Sequence, residues 1–193
     1  MGHSQAEKAE THQRIVNLAA KRFREYGLEG ISIADLMDEA DVAVGGFYKH
    51  FASRDDLVVE ALAAASFEMD GSLLTKQRTL KKSIGAYLSK SHRDNLEDSC
   101  PVAALVGDVS RSSDGARKAY TDGVERRFAG IAEQLPDEGR RQRHAKAILI
   151  CSACVGAIGL SRAVSDADLS DQILKTVAKQ LSDIFSKNDD IGI

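Results

Sequence analysis

The sequence reads ADVAVGGFYKHF at residues 40–51. Gly45 and Gly46 stand side by side in a segment that otherwise has the pattern of a short helix, over about residues 43–50. Two glycines in one short helix cost about 2 kcal/mol relative to alanine. This weakness suggests that the segment serves a purpose other than its own stability.

The rest of the chain favours helix throughout its 193 residues. Ala, Leu, Glu, Lys and Arg dominate the composition, proline occurs only at Pro101 and Pro136, and runs rich in Val, Ile and Thr are missing. The sequence therefore predicts an all-α fold. The length suits one large domain, or a small domain joined to one of medium size.

Two helices lead into the glycine segment. The first spans residues 5–26 and ends at Gly27, in the position that a C′ glycine usually occupies. The second is short, with Ser32 as its N-cap and Asp35 as the capping partner. At Asp41 a tight turn is expected, because Asp tolerates a left-handed backbone better than most residues.

These helices and the glycine segment together predict a helix-turn-helix unit, whose second helix enters the major groove of DNA. In that helix, Val42, Phe47 and Phe51 would point into a small core, leaving five residues facing outward. Glycine allows a backbone to approach a ligand closely. The alternative is that the glycines merely end a poor helix. The outward-facing residues are Val44, Gly45, Gly46, Tyr48 and Lys49.

Overall charge gives no support to nucleic-acid binding. The net charge is −3 with a pI near 6.0, and residues 1–57 contain seven Lys and Arg against ten Asp and Glu. Any DNA binding must therefore depend on local geometry, and affinity should be strongly salt-dependent because phosphate contacts supply most of it.

The remaining helices follow from apolar spacing and capping signals. Ser53 is the predicted N-cap of a long fourth helix, and Pro101 suits the first turn of a later one. About nine helices are expected in all, in a DNA-binding domain at 5–53 and a ligand-binding and dimerisation domain at 54–187. The later predicted helices span residues 54–75, 78–91, 101–111, 114–134, 138–163 and 168–186.

Residues 11–57 resemble the DNA-binding domain of the TetR/AcrR family of bacterial transcription regulators. The matching pieces are RIVNLAAKRFREYG, ISIADLMDEADV and GGFYKHFASRDDL. The resemblance implies phosphate contacts for Tyr48, His50 and Arg54, with the Ser32 hydroxyl in the same role. Two positions depart from the family pattern, since Asp41 stands where Gly is usual and Ala43 where Ser or Thr is usual. The full predicted DNA-binding set is Ser32, Ala43, Val44, Gly45, Gly46, Tyr48, Lys49, His50 and Arg54.

The second half resembles one branch of the same family, through YLSKSHRDNLEDSCPVAALVGDVSR and VGAIGLSRAVSDADLSDQIL. In that family this region binds a small-molecule inducer and forms the dimer. The identity of the effector does not follow from the sequence. Candidate pocket residues are Phe67, Tyr87, Cys100, Tyr120 and Phe128.

The last two helices also predict a homodimer on physical grounds. The eighth helix is apolar on nearly every side from Ala147 to Leu160, and the ninth carries an apolar stripe, so both must be buried. A four-helix bundle between two protomers meets this need, and burial within one chain is the alternative. The predicted interface comprises Cys151, Val155, Gly159, Ile173, Val177, Leu181 and Ile184.

The three cysteines predict neither a disulfide framework nor a metal site. Their odd number fits a reducing cytoplasm. Cys151 and Cys154 lie roughly in line with His144, but zinc needs four ligands and one helix supplies at most three here. Cys100 precedes Pro101 at a predicted helix N-terminus, where a thiolate is favoured. It could sense electrophiles or simply act as a small cap residue.

The sequence therefore predicts a cytoplasmic, homodimeric transcription regulator that is not an enzyme and needs no cofactor. A repressor that binds a near-palindromic double-stranded operator and is released by a small molecule fits best. A ligand-responsive activator and a helical adaptor that does not bind DNA are the alternatives. The polar N-terminus and the lack of an apolar run of about 18 residues predict no membrane partner.

Overall fold

The computed structural model describes residues 5–73 and 79–185, with side chains for residues 5–66 and 79–185. Every regular element in these ranges is helical, which confirms the all-α prediction. Residues 5–73 and 79–185 contain nine α-helices and one 3₁₀ helix, which is Val44–Lys49. The α-helices are α1 Gln5–Tyr26, α2 Ile33–Glu39, α3 Arg54–Leu73, α4 Leu80–Tyr87, α5 Lys90–Asp94, α6 Pro101–Val109, α7 Asp114–Glu133, α8 Arg140–Ala163 and α9 Ala167–Phe185.

The chain divides into two compact units. The first comprises Met1–Phe67 and Cys100–Gly123, and the second comprises Glu68–Ser99 and Val124–Ile193. The first unit therefore contains α1, α2 and the 3₁₀ helix together with α6, which is distant in sequence. The predicted boundary after residue 53 concerned function, and it stays a prediction.

The capping and turn signals are in place in the first unit. Gly27 has φ +81°, and its N–H donates to the Phe23 carbonyl over 2.9 Å, so it ends α1 as predicted. Ser32 Oγ accepts from the Asp35 amide over 3.1 Å and donates to Asp35 Oδ2 over 2.6 Å. Asp41 has φ +54°, which confirms the left-handed turn between α2 and the 3₁₀ helix.

One hydrophobic core holds the first unit together. Side chains of α1 and α2 pack with Phe47, Phe51 and residues on the inner face of α3. Arg22 on α1 also donates a forked pair of hydrogen bonds from Nε to Glu39 on α2, over 2.8 and 3.0 Å. The buried apolar residues include Ile15, Ala19, Phe23, Leu36, Met37, Leu57 and Leu62.

Two predicted helices differ in the structure. The glycine segment is a 3₁₀ helix, in which the Gly46 amide donates to the Ala43 carbonyl over 2.7 Å. Two adjacent glycines lower the α-helical propensity of this short segment, and short 3₁₀ helices are common as connectors. The single helix predicted at 78–91 is instead α4 and α5. The break occurs where Ser89 Oγ accepts from the His92 amide and so begins a new helix.

In the second unit, α8 and α9 pack along each other, and α4 packs against α9. Arg93 of α5 donates to Ser170 Oγ and Asp171 Oδ1 on α9, over 2.9 and 3.0 Å. Arg162 of α8 donates to the carbonyls of His92 and Arg93, each over 2.9 Å. These bonds tie the short α5 to α8 and α9.

Candidate nucleic-acid interface

The 3₁₀ helix has one face in the core and one face in solvent. Phe47 is only 1% exposed, and its ring lies 5.4 Å from that of Phe51, which is also buried. Val42 packs against the same core at partial burial. These three positions confirm the predicted inward face, and they hold the segment rigidly against α1 and α2.

The opposite face presents a compact, accessible surface. Tyr48 is 77% exposed and Val44 is 51% exposed, although both are large side chains that a monomer gains nothing by leaving in water. Ala43, Gly45 and Lys49 are exposed beside them. Sequence reasoning therefore placed these outward residues correctly on the surface, while their contact with DNA stays a prediction.

Packing does not explain why Gly45 is glycine. A Cβ atom built on Gly45 meets no atom within 4 Å, and its φ lies outside the left-handed region. Gly46 is different, because a Cβ there would lie 3.3 Å from Val42 Cγ1. Gly45 is therefore unnecessary to the protomer, which favours a role in letting something outside the protomer come close.

His50 lies at the edge of this surface with part of its ring inside. Its Nδ1 atom is buried and has no hydrogen-bond partner in the described structure. Burial lowers the pKa of His50, and the positive charges of His12, Lys8 and Lys49 lower it further. These effects favour the neutral form of the His50 ring in the unbound protein, and an anion close by would favour its protonated form.

His12 of α1 supports this edge. Its Nε2 atom lies 2.6 Å from Glu60 Oε2 on α3, and its ring stacks on Phe51 with centroids 4.5 Å apart. The His12 and His50 rings are 6.0 Å apart. Sequence reasoning missed His12, because only the packing of α1 against α3 brings it here.

Arg54 and Ser32 have partners within the first unit. The Arg54 guanidinium donates to the carbonyls of Leu28 and Ile31 and lies over the Phe23 ring, 5.7 Å from its centroid. These bonds satisfy carbonyls in the α1–α2 link. Ser32 caps α2, as described above. Both side chains are therefore built into the domain, and the phosphate contacts that the resemblance implies for them stay predictions.

The left-handed Asp41 explains one departure from the family pattern. A φ of +54° is a conformation that glycine adopts without strain and that Asp tolerates better than most residues. The Asp41 amide donates to the Asp38 carbonyl over 2.9 Å and closes the turn. The turn is thus kept although its residue is different.

Comparison with known proteins matches this same region. The family model for bacterial regulatory proteins of the tetR family matches residues 15–61, which run from α1 through the 3₁₀ helix into α3. Residues 15–61 therefore form a DNA-binding domain of the TetR family. Its helix-turn-helix is therefore formed by α2, the turn at Asp41 and the 3₁₀ helix.

Two curated relatives of this chain resemble it over part of their length. The A-factor receptor protein of Streptomyces griseus is 35% identical over 74 residues, which are 36% of this chain and 27% of that protein. The HTH-type transcriptional repressor KstR2 of Mycobacterium tuberculosis (strain ATCC 25618 / H37Rv) is 40% identical over 48 residues, 25% of this chain and 24% of that protein. The aligned part of the chain thus spans about a quarter of each.

The fold resemblance extends much further than the sequence identity. The crystal structure of E. coli NemR in its reduced form superposes with a TM-score of 0.75 at 18% identity, covering 93% of this chain and 99% of that one. At that identity the match shows the fold alone. The chain therefore shares the all-helical fold of that protein beyond residues 15–61.

The second unit contains an apolar cavity of about 40 Å³ between α4, α7 and α8. Ile84, Ile150 and Tyr87 form part of its wall, and the buried Arg127, Cys151 and Cys154 reach it as well. This volume holds about three water molecules. Ser83 Oγ donates to Gln134 Oε1 over 2.7 Å at its edge, so those two polar groups satisfy each other.

Of the predicted pocket residues, only Tyr87 lines this cavity. Cys100 and Tyr120 belong to the first unit, where the Tyr120 hydroxyl donates to the Val102 carbonyl over 2.8 Å. Phe128 packs instead against His144, with ring centroids 5.8 Å apart. The Phe67 side chain lies outside the described side chains. The wall was missed because its residues come from three separated helices, although Leu80, Ile84 and Tyr87 share one face by spacing.

The predicted dimer residues also divide into two groups. Cys151 and Leu181 are buried within the protomer, at 6% and 5% exposure, and their place in an interface stays a prediction. Ile184 is 61% exposed, Gly159 is exposed, and Val155, Ile173 and Val177 are half-buried. The pattern missed the largest exposed apolar side chains of α8 and α9, which are Ile148, Leu149, Leu160 and Leu169.

Cys100 is the N-cap of α6 with Pro101 in the first turn, as predicted. It is 1% exposed, which leaves its sulfur little access to solvent. The three cysteines form no disulfide. Within the described residues there is no group of three or more His, Cys, Asp or Glu placed to hold a metal ion.

By length and composition alone, α8 would be long enough and apolar enough to cross a membrane. The core helix of a globular protein passes the same test, and α8 buries seven residues inside the second unit, including Ala147, Ile150 and Ile158. The helix alone is weak evidence for a membrane location.

Proposed function

We propose that this chain is a homodimeric TetR-family repressor that binds a near-palindromic operator and is released by a small molecule. The observation that carries the proposal is the outward face of the 3₁₀ helix. Val44, Gly45 and Tyr48 are exposed there without any benefit to the protomer, on a segment that its own core holds in place. Such a surface suits the second helix of a helix-turn-helix lying in a major groove.

The proposed phosphate contacts lie around that face. Tyr48 and Lys49 are accessible on the segment itself, and His50 stands at its edge with Lys8 and His12 of α1 close enough to influence its charge. Lys8 and Lys49 offset part of the acidic excess of residues 1–57 at this edge. The name of KstR2 as a repressor favours repression over activation here.

Two protomers would associate through the exposed apolar side of α8 and α9. Leu149 and Leu160 are 55% and 60% exposed on α8, and Gly156 and Gly159 offer open space for a close helix approach. Ile184 continues the surface on α9. A surface of this kind on a monomer is uncommon, and a four-helix bundle would cover it. The second copy also supplies the second recognition element that a palindromic site requires.

The cavity between α4, α7 and α8 is the proposed effector site. The effector must bind preferentially the conformation with low DNA affinity, since only a difference in affinity between two states can release DNA. An effector larger than the present 40 Å³ would require side chains around the cavity to move.

DNase footprinting of the purified protein on its own upstream DNA tests the DNA-binding part. A protected near-palindrome is expected, with half-sites one helical turn or a multiple of it apart. Tyr48→Phe should weaken binding to all sites by a similar factor, because phosphate contacts position the protein without specifying sequence. An altered base preference at unchanged overall affinity would contradict the assignment of Tyr48.

Sedimentation tests the dimer. Leu149→Asp should give monomers and lose operator binding, because the interface would bury an unpaired charge. Gln142→Asp, on an exposed part of the same helix, is the matched control and should remain dimeric. A Leu149→Asp protein that stays dimeric would remove α8 from the interface. If the wild-type protein neither dimerises nor binds DNA, the alternative of a helical adaptor is favoured instead.

A further inference from the structure

Two thiols share the wall of the apolar cavity. Cys151 and Cys154 lie three residues apart on α8, on the same face and separated by one helical turn. Each is 6% exposed, and both line the cavity that Ile84 and Ile150 also form. A buried cysteine packs as a small apolar residue, and here two of them line the same cavity.

The surroundings restrict what these thiols can bind. Zinc requires four ligands, and none of the described residues lining the cavity is a His, Asp or Glu. Arg127 is the one charged side chain among the described lining residues, Ser83 and Gln134 bond each other, and the other wall residues near the thiols are largely apolar, so a ligand without charge suits most of the wall. A suitable ligand bridges two thiols at one atom, is uncharged once bound, and is small enough for about 40 Å³.

We propose that this cavity is a binding site for a small trivalent organoarsenical, in which arsenic bridges the Sγ atoms of Cys151 and Cys154. Methylarsonous acid, CH₃As(OH)₂, represents the class. Two S–H groups and two As–OH groups are exchanged for two As–S bonds, and each thiol proton leaves with a hydroxide as water. Arsenic remains trivalent, so no oxidant or reductant is needed.

The bound product fits the cavity chemically. It has no net charge, and its methyl group contacts aliphatic wall residues such as Ile84 and Ile150. Bridging also makes the second As–S bond intramolecular, which raises the apparent affinity by a factor of about 10² to 10⁴ over a single thiol. This proposal concerns binding in the cavity and does not depend on DNA binding.

The test treats the full-length, reduced protein with methylarsonous acid and measures intact mass and thermal unfolding. One adduct that has lost two water molecules is expected, with a raised Tm because the ligand binds the folded state. Trypsin cleaves after Lys146 and Arg162, so Cys151 and Cys154 fall in the peptide 147–162, while Cys100 falls in 94–111. Arsenic should map to 147–162.

Matched variants show whether both thiols take part. Cys151→Ala and Cys154→Ala should each release arsenic to excess glutathione at a concentration about a hundredfold lower than the wild type requires. Cys100→Ala should behave as the wild type. If an alanine variant does not fold, the corresponding serine variant and the peptide map of the wild type show whether both thiols bind arsenic.

Arsenic on 94–111, an adduct that survives loss of either cysteine, or no adduct with the folded wild type would overturn the proposal. An adduct that forms only in urea would overturn it equally, since the cavity would play no part. Operator binding measured on the same samples reports separately on the proposed function. A bridged adduct with unchanged DNA affinity supports the site and removes this ligand as an effector.

Discussion

The outward face of the 3₁₀ helix and the cavity of the second unit are built in opposite ways. Most of the residues proposed to meet DNA lie between Ala43 and His50, on a segment held to the core by Phe47 together with Val42 and Phe51. The cavity gathers its wall from α4, α7 and α8, which are far apart in the sequence. A surface formed by one short segment can be predicted from the local sequence pattern, whereas a cavity exists only after separate helices have packed.

The two regions also differ in how substitutions should affect function and stability. On the 3₁₀ helix, open space around Gly45 means that a larger residue harms only an external contact. Around the cavity, Ile150 is 2% exposed, so any change in its size is felt by the fold. Function and stability should therefore separate cleanly in the first region and overlap in the second.

The largest difference is expected between two single variants, Phe47→Ala and Tyr48→Ala. Removing the buried ring should lower the free energy of unfolding of the first unit by about 3–5 kcal/mol and abolish DNA binding. Tyr48→Ala should abolish or greatly weaken DNA binding with a stability change within about 0.5 kcal/mol. Urea unfolding and gel-shift titration measure the pair. Equal destabilisation by both would contradict the division into an inner and an outer face.

In the cavity wall, Ile150→Ala should lower the free energy of unfolding by about 2–5 kcal/mol, since it enlarges an existing void. Ile84→Val, a smaller truncation at another wall position, should cost about 0.5–1.5 kcal/mol. Operator affinity of the folded fraction should be unchanged in both, as measured by fluorescence anisotropy at low temperature. If DNA affinity falls in parallel with stability, the cavity wall is not separate from the DNA-binding function as proposed.

Gly45→Ala should weaken operator binding by about tenfold or more while leaving stability unchanged or slightly higher. Alanine is favoured over glycine in a helix by up to about 1 kcal/mol, and no atom of the protomer opposes the new methyl group. Gly107→Ala on α6 is the control, because it is also exposed and has open space around it. Unchanged DNA affinity in Gly45→Ala would leave the glycine without the role proposed for it.

The smallest effect is a dependence of DNA affinity on pH. The pKa of His50 lies below its ordinary value in the unbound protein, and a neighbouring phosphate should raise it. Affinity should therefore rise severalfold as pH falls from 8 to 6. Protonation of His50 opposes the unbound fold, so its contribution to stability is present above about pH 6.5 and is lost as pH falls.

His50→Gln should flatten the affinity profile, and His12→Gln tests the other imidazole ring at this edge, whose centroid lies 6.0 Å from that of His50. His92→Gln is the control for the second unit, because burial also lowers the pKa of His92, which is held by the Tyr87 carbonyl. That variant should change the pH dependence of stability without changing that of DNA affinity. A profile unaffected by His50→Gln would remove this residue from the phosphate contacts.

Sequence reasoning performed well where the signals were local. Gly27, Ser32, Asp41 and Pro101 all have the capping or turn geometry that was predicted, because each depends on neighbours within four residues. The same reasoning predicted an α-helix where the chain forms a 3₁₀ helix. It correctly recognised the two glycines as a weakness but did not foresee how the backbone would accommodate them.

The apolar faces of α8 and α9 show where the local pattern failed. Both helices carry more apolar positions than one face can use, and periodicity gives no means of choosing among them. Cys151 and Leu181 turned inward, while Leu149 and Leu160 remain exposed. The choice depends on which side each helix turns toward its neighbours, and that is a property of packing.

The amino-acid sequence by itself determined the helical class, the caps and turns of the DNA-binding domain, and the match of residues 15–61 to the TetR family. These depend on interactions between residues that are close along the chain. Only the tertiary structure decided that Tyr87 lines a cavity with Cys151 and Cys154, that Arg54 holds the α1–α2 link, and which apolar residues stay exposed. Such features require distant segments to meet, and their geometry follows from close packing of side chains that no short stretch of sequence contains.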